Sequence, residues 1–175
     1  MEEKISALIA AAEEKLAPAF KRLEAIEEIG TRRVLAAFQE HQVAYRHFAP
    51  TTGYGYDDVG RDTLEKIFAD LFGTEAAIVR PHIASGTHAI SLCLFGLTLP
   101  GDHILSATGK PYDTLEEIIG MGEGPAPVGS LREMGVSYSD VPLNAAGEID
   151  LAAVEAAIRP NTRLVIAQRS RGYAW

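Results

Sequence analysis

Apolar positions in the first part of the chain recur three or four residues apart, which is the spacing of one helical face. The recurring residues are Leu16, Phe20, Leu23, Val34, Leu35 and Phe38. Residues 2–41 are also rich in Ala, Glu, Lys, Leu and Ile. The pattern predicts a helical arm over residues 1–48, in which Pro18 starts or kinks a segment because it has no amide donor. Gly30 marks a second expected break, and packing on a partner subunit and an ordinary surface helix both stay open for the arm.

A loop and then a second helix follow the arm. Gly, Pro and Asp residues in 42–62 favour a loop. Asp62 with Glu65 three residues later predicts a capped helix start, and Gly73 predicts its end. The apolar stripe of this helix comprises Leu64, Ile67, Phe68, Leu71 and Phe72.

From residue 76 onward, short apolar runs alternate with helical patterns. The predicted strands are 76–79, 103–105, 136–139 and 163–167, and the predicted helices are 86–99, 113–121 and a third capped by Asp150. Such alternation indicates parallel strands joined by helical crossovers. The sequence therefore predicts an α/β fold, with the arm at 1–48 and a sheet-containing domain at 49–175.

Composition and charge argue against nucleic-acid binding and against a membrane protein. The 175 residues carry 16 Lys+Arg and 24 Asp+Glu, a net charge of −8, whereas binding to a nucleic-acid backbone needs a clustered basic surface. No apolar run approaches a membrane span, and the N-terminus lacks the pattern of a secretory signal. The single cysteine excludes an intrachain disulfide. We therefore expect a cytoplasmic protein that binds a small molecule, with neither nucleic acid nor membrane as a partner.

The start of the predicted helix 86–99 is the sharpest candidate site. Free amides and the positive end of the helix dipole attract anions there, Gly86 permits close approach, and Ser85 and Thr87 add hydroxyl groups. The same residues also fit a helix whose first turn Ser85 merely caps. Tyr112 follows the strand at 103–105, and ligands gather at the carboxyl ends of strands in open α/β sheets. Tyr112 thus either stacks on a flat ring or packs at a helix start.

Several motifs occur in order from about residue 45 to the C-terminus. They are Gly53-Tyr54-Gly55-Tyr56-Asp57-Asp58, Ser85-Gly86-Thr87-His88-Ala89, Pro100-Gly101-Asp102, Lys110-Pro111-Tyr112-Asp113-Thr114 and Gln168-Arg169-Ser170-Arg171-Gly172-Tyr173. Together they resemble the pyridoxal-phosphate enzymes known as methionine gamma-lyase-like or aluminium resistance proteins. These belong to the cysteine and methionine metabolism group of the aspartate aminotransferase fold, fold type I. The resemblance implies that residues 49–175 are the first part of a mainly parallel-sheet large domain that binds pyridoxal 5'-phosphate.

The resemblance also implies roles for single residues. Ser85, Gly86 and Thr87 would hold the cofactor phosphate, Tyr112 would lie on the pyridine ring, and Tyr56 and Arg61 would reach a neighbouring subunit's phosphate. The expected substrate-binding residues are Arg169, Arg171 and Tyr54. From the residues alone, Arg61 also fits a solvated helix turn, and the two later arginines also fit exposed side chains near a strand end.

The family's Schiff-base lysine has no counterpart among Lys4, Lys15, Lys21, Lys66 and Lys110. We therefore expect the N-terminal part of a longer carbon-sulfur lyase acting on methionine, cysteine or cystathionine, inactive as these 175 residues alone. Another reaction of the same cofactor, such as that of an aldolase or transferase, is an alternative within enzymes. The alternative from a different class is a non-catalytic α/β module that binds a phosphate ligand or serves assembly. The resemblance further implies a homodimer or homotetramer with shared active sites.

Overall fold

The computed structural model describes residues 2–53 and 58–169. By its contacts the chain falls into two compact units, Met1–Pro81 and His82–Trp175. This division lies further along the chain than the expected end of the arm at residue 48. The assignment of 1–48 and 49–175 as domains stays a prediction.

The first unit begins with one long helix, α1 (Glu2–Glu40), and a short 3₁₀ helix follows at Tyr45–Phe48. The helical arm is therefore confirmed, and because Pro18 and Gly30 both lie inside α1, the expected start or break of a segment at these residues is wrong. The kink at Pro18 stays a prediction. None of the α1 residues is buried. Pro18 removes one main-chain hydrogen bond from α1, and the other hydrogen bonds of this 39-residue helix keep the segment helical.

The second helix, α2 (Val59–Phe72), begins one turn earlier than predicted. Asp58 caps it, because Asp58 Oδ1 accepts a hydrogen bond of 3.0 Å from the Arg61 amide. That bond, with a second from the Thr51 hydroxyl, lowers the pKa of the Asp58 carboxyl. The predicted capping role of Asp62 is therefore wrong, whereas Gly73 ends the helix at φ 64° as expected.

The predicted strand at 76–79 does not form, and one of its amides is bonded to a side chain. The Val79 amide donates to Glu65 Oε1 at 3.0 Å, and the same carboxylate pairs with the Arg80 guanidinium. Glu65 is the residue that the capping-box interpretation had assigned to the helix start. In the structure the Glu65 carboxylate accepts a hydrogen bond from the Val79 amide, which in a strand would donate to a neighbouring strand.

Helices and strands alternate in the second unit, as the sequence predicts. They are α3 (Gly86–Leu97), β1 (His103–Ser106), α4 (Asp113–Ile119), β2 (Ser137–Asp140), α5 (Leu151–Ala157) and β3 (Thr162–Ile166). Asp150 caps α5 by accepting from the Ala153 amide at 3.0 Å. The chain is thus an α/β protein with a helical N-terminal part.

The three strands form a parallel sheet in the order β2-β1-β3. All four residues of the central strand β1 are buried. Strand β2 is half-buried at its two middle residues and exposed at its ends, whereas β3 alternates between half-buried and exposed positions. The buried core combines Ile104 of β1 with five residues from other segments, namely Leu94, Leu115, Ile119, Leu131 and Val136. The parallel pairing confirms the predicted topology, since β1 and β2 are joined through α4 and β2 and β3 through α5.

The end of α4 depends on a glycine that has no room for a side chain. Gly120 has φ 85°, a left-handed conformation that costs little only for glycine. A Cβ placed on it would lie 2.6 Å from Ser130 Oγ and 2.9 Å from Arg132 Cβ. The turn after α4 therefore packs directly against the segment that leads into β2.

Replacing Gly120 by Ala is expected to lower the free energy of unfolding by about 3 kcal/mol, because strain at positive φ adds to a steric clash. Gly122→Ala is the matched control, since Gly122 also has a positive φ of 111° but its Cβ would meet no atom within 4 Å. Urea unfolding of both variants measures the difference. Equal losses in the two variants would contradict the steric part of this explanation.

His103 joins the three strands through its ring. This fully buried side chain places Nδ1 2.9 Å from Thr162 Oγ1 on β3 and Nε2 2.8 Å from Ser139 Oγ on β2. Burial lowers the pKa of His103, and the positive charge of Arg159 lowers it further. The ring is therefore held neutral, with one nitrogen donating and the other accepting.

Because the folded-state pKa of His103 lies below its unfolded value of 6.5, the unfolded chain binds a proton that the folded chain excludes. The stability contributed by neutral His103 is complete above pH 6.5 and is lost as the pH falls toward the folded-state pKa. His103→Gln should reduce this loss. Urea unfolding at pH 7.5 and at about pH 5 compares the two proteins, and identical pH dependence would refute the assignment.

Candidate functional site

Ser85 caps α3 and shapes its first turn. Its Oγ accepts a hydrogen bond of 3.1 Å from the His88 amide. The amides of Gly86 and Thr87 also belong to the first turn, where the helix itself offers no acceptor. Since Ser85 Oγ acts as an acceptor toward His88, its own hydroxyl hydrogen stays available to a further acceptor.

The space around this helix start suits an anion. Ser85 and Gly86 are exposed, and a Cβ built on Gly86 would meet no atom within 4 Å. The exposed Ser85 hydroxyl, the open space at Gly86 and the positive end of the helix dipole therefore leave room for an anion at the first turn. This donor set fits the phosphate of pyridoxal phosphate, which offers several acceptor oxygens. Capping by Ser85 and anion binding are compatible, because they use different atoms of the hydroxyl group.

Tyr112 lies at the start of α4, close to the start of α3. The connection is a hydroxyl pair, in which Thr87 Oγ1 and Thr114 Oγ1 are 3.0 Å apart. Tyr112 is two residues from this contact, and its side chain is 36% exposed. The structure thus brings Thr87 and the segment of Tyr112 to the same place, as a shared ligand would require.

The loop before α4 is fixed to the ends of the strands. The Ala107 amide donates to Ile166 O at 2.8 Å, and the Gly109 amide donates to Val141 O at 2.7 Å. Ser106 Oγ adds a bond of 2.7 Å to Gly109 O, and Gly109 has a positive φ of 77°. The loop is consequently tied to the last residue of β3 and to the residue that follows β2.

Two long-range contacts at this site were not predicted from the sequence. Thr114 contacts Thr87, and Gln168 Oε1 accepts a bond of 3.1 Å from the Tyr112 amide. The sequence did mark both residues as close to the site, because Thr114 lies in the motif around Tyr112 and Gln168 directly follows the last predicted strand. Their pairing joins residues 27 and 56 positions apart, which no local pattern reveals.

The other predicted site residues are placed as follows. Arg61 lies in the first turn of α2, in the first unit, where its Nε donates to Asp62 Oδ1 at 2.9 Å. The Asp62 carboxylate raises the pKa of this guanidinium. Arg169 is exposed, three residues beyond the end of β3. Tyr54, Tyr56 and Arg171 lie outside the described residues. The roles expected for all of these residues stay predictions.

A cavity separate from the residues described above lies in the second unit. About 580 Å³ in volume, it runs beside strand β2 and is lined by Met121, Arg132, Tyr138 and Asp140 among others. Because β2 is an outer strand of the described sheet, this cavity is a groove along the sheet edge. None of Ser85, Thr87 and Tyr112 lines it.

Within residues 2–53 and 58–169, no group of three or more His, Cys, Asp or Glu side chains is arranged to hold a metal ion. None of the helices in the same ranges combines the length and the apolar character needed to cross a membrane.

Comparison with known proteins gives consistent matches. The family described as methionine gamma-lyase matches residues 5–175. The uncharacterized protein YnbB of Bacillus subtilis is 54% identical over 162 residues, which cover 93% of this chain and 38% of that protein. The family indicated by the motifs is therefore confirmed.

Solved structures agree with the sequence match. A Listeria innocua protein, provisionally named a cystathionine beta-lyase involved in aluminum resistance, has a TM-score of 0.88 and 51% identity over 97% of this chain and 41% of its own. A Clostridium novyi protein named a carbon-sulfur lyase involved in aluminum resistance has a TM-score of 0.91 and 40% identity over 96% of this chain and 40% of its own. The chain thus spans about two fifths of the length of these relatives.

Removing the hydroxyl of Ser85 tests the local structure of the site. Ser85→Ala should lower the free energy of unfolding by about 1 kcal/mol, because the His88 amide loses its cap acceptor. Ser85→Asp is the control, since aspartate is also a good N-cap residue and should preserve stability. Urea denaturation measures both, and equal losses would show that capping does not explain the effect.

Proposed function

We propose that this chain, which belongs to the methionine gamma-lyase family, is the N-terminal portion of a pyridoxal-phosphate-dependent carbon-sulfur lyase. The proposed substrate is a sulfur amino acid of the methionine, cysteine or cystathionine class. The names of the Listeria innocua and Clostridium novyi relatives support lyase chemistry.

One structural observation carries the cofactor proposal, namely the 3.0 Å contact between Thr87 Oγ1 and Thr114 Oγ1. It joins the start of α3, which offers anion-binding amides, to the segment that presents Tyr112. A ligand with a phosphate group and a flat ring needs both features side by side. Pyridoxal phosphate has both, and when bound it withdraws electrons from the amino acid's alpha carbon.

Residues of this chain would bind and orient the cofactor. Gly86 and Thr87 would donate amide hydrogens to the phosphate, and Ser85 would donate its hydroxyl hydrogen. Tyr112 would hold the ring by stacking, which an electron-poor ring favours. These contacts bind and position the ligand without moving a proton.

The chemical step would rely on a lysine from outside these residues. Lys110 is the lysine nearest to Tyr112 in sequence, and its Nζ lies 2.7 Å from Glu116 Oε2 in an ion pair. This ion pair joins Lys110 to a side chain of α4. The second candidate function, a non-catalytic module that binds a phosphate ligand, would need the contacts at the start of α3 and no lysine.

Several finer features belong to the same proposal. The parallel sheet would be part of a large domain of fold type I, and the complete protein would be a cytoplasmic homodimer or homotetramer with shared active sites. Tyr56 and Arg61 would then contact the phosphate bound by a neighbouring subunit. Arg169, Arg171 and Tyr54 would bind the substrate, with the arginines pairing with its carboxylate.

Titration with pyridoxal phosphate tests the site at α3. Gly86→Val places a branched side chain in the open space over the amides, so the dissociation constant should rise at least about tenfold, as expected from losing one charge-assisted hydrogen bond. Gly96→Val is the matched control, because Gly96 lies in the same helix and also has open space at its Cβ position. Cofactor absorbance reports binding.

The result separates the candidate functions. Undiminished affinity in Gly86→Val would mean that the start of α3 is only a capped helix. Weakened binding together with carbon-sulfur cleavage by the complete protein would support the lyase. Weakened binding without any turnover of methionine, cysteine or cystathionine would favour the non-catalytic module.

A further inference from the structure

We propose that Gln168 is a positioning residue that sets the orientation of Tyr112 at the start of α4. This inference rests on the proposed function and adds a residue to its site. The observation that carries it is a pair of hydrogen bonds from one residue to both ends of a loop. Gln168 Oε1 accepts from the Tyr112 amide at 3.1 Å, and the Gln168 amide donates to Thr108 Oγ1 at 3.0 Å.

The two bonds hold the loop 108–112 to the end of β3. Gln168 is half-buried and lies two residues beyond Ile166, the last residue of that strand. Ile166 itself accepts from the Ala107 amide at 2.8 Å, so the loop and the end of β3 are joined at three points. The segments that follow β1 and β3 therefore stay in contact beyond the paired strands, through hydrogen bonds that involve side chains.

Tyr112 is held on its other side as well. Its carbonyl oxygen accepts from the Leu115 amide at 2.9 Å in the first turn of α4. With both main-chain groups hydrogen-bonded, the direction of the Cα–Cβ bond is fixed, and the ring moves only about its side-chain torsions. The Thr114–Thr87 contact then sets the distance to the start of α3.

The chemistry of glutamine suits this position. A carboxamide oxygen accepts the Tyr112 amide hydrogen without adding a negative charge to a region that is proposed to bind a phosphate. This contact forms only when the unit folds, because Tyr112 and Gln168 are 56 residues apart in the sequence. In this proposal Gln168 acts on the ligand through Tyr112.

The test removes only the side-chain acceptor. Gln168→Met keeps the length of the side chain and the main-chain bond to Thr108, whereas Gln168→Glu keeps the acceptor and serves as the control. Because the sequence holds six tyrosines, selective ¹⁵N-tyrosine labelling resolves the Tyr112 amide among few signals. Its hydrogen exchange should be about fivefold faster in Gln168→Met, as the loss of one hydrogen bond predicts, and within about twofold of the original rate in Gln168→Glu.

A second readout distinguishes positioning from a purely structural role. The visible circular dichroism of bound pyridoxal phosphate should change in Gln168→Met, and this change should vanish in a Tyr112→Leu background, where there is no ring to orient. Unchanged exchange of the Tyr112 amide would overturn the proposal, as would a dichroism change that persists in Tyr112→Leu. Absence of pyridoxal phosphate binding in the unaltered protein would instead overturn the proposed function, and the exchange rates would still decide whether Gln168 holds Tyr112.

Discussion

Strand β1 is the constraint on which the second unit depends, because it pairs with a strand on each side and is buried along its whole length. Parallel pairing brings the carboxyl ends of the three strands to one edge of the sheet. The loops that leave β1 and β3 consequently meet there and become fixed to each other. His103 strengthens the arrangement from within, since its ring contacts a hydroxyl on each neighbouring strand.

The sequence is informative wherever local interactions decide the structure. The helices α3 and α5 begin after Ser85 and Asp150 as predicted, because a capping side chain and the amides it binds are only three residues apart. The prediction failed at Asp62 because Asp58 caps the helix one turn earlier. At 76–79 the Val79 amide donates to Glu65, 14 residues away, a contact that no local pattern reveals.

The candidate site shows the same limit. Ser85, Gly86, Thr87 and Tyr112 stand out in the sequence, because their residue types and their places at element ends carry a chemical meaning. The contacts that join them could not be predicted, since Thr114 and Gln168 take part through folding of the whole unit. Residue types thus indicate which chemical groups the site can bind, whereas the pairing of the strands determines which segments lie next to each other.

The parallel sheet also affects how the chain folds. His103 and Thr162 are 59 residues apart, so a long loop must close before β1 and β3 can pair, and this entropic cost precedes any gain. Helix α1 needs no such closure, because each of its hydrogen bonds joins residues four positions apart. Its helical turns therefore form on a faster timescale than the sheet, and the contact of Gln168 with Tyr112 depends on the slower closure that pairs β1 with β3.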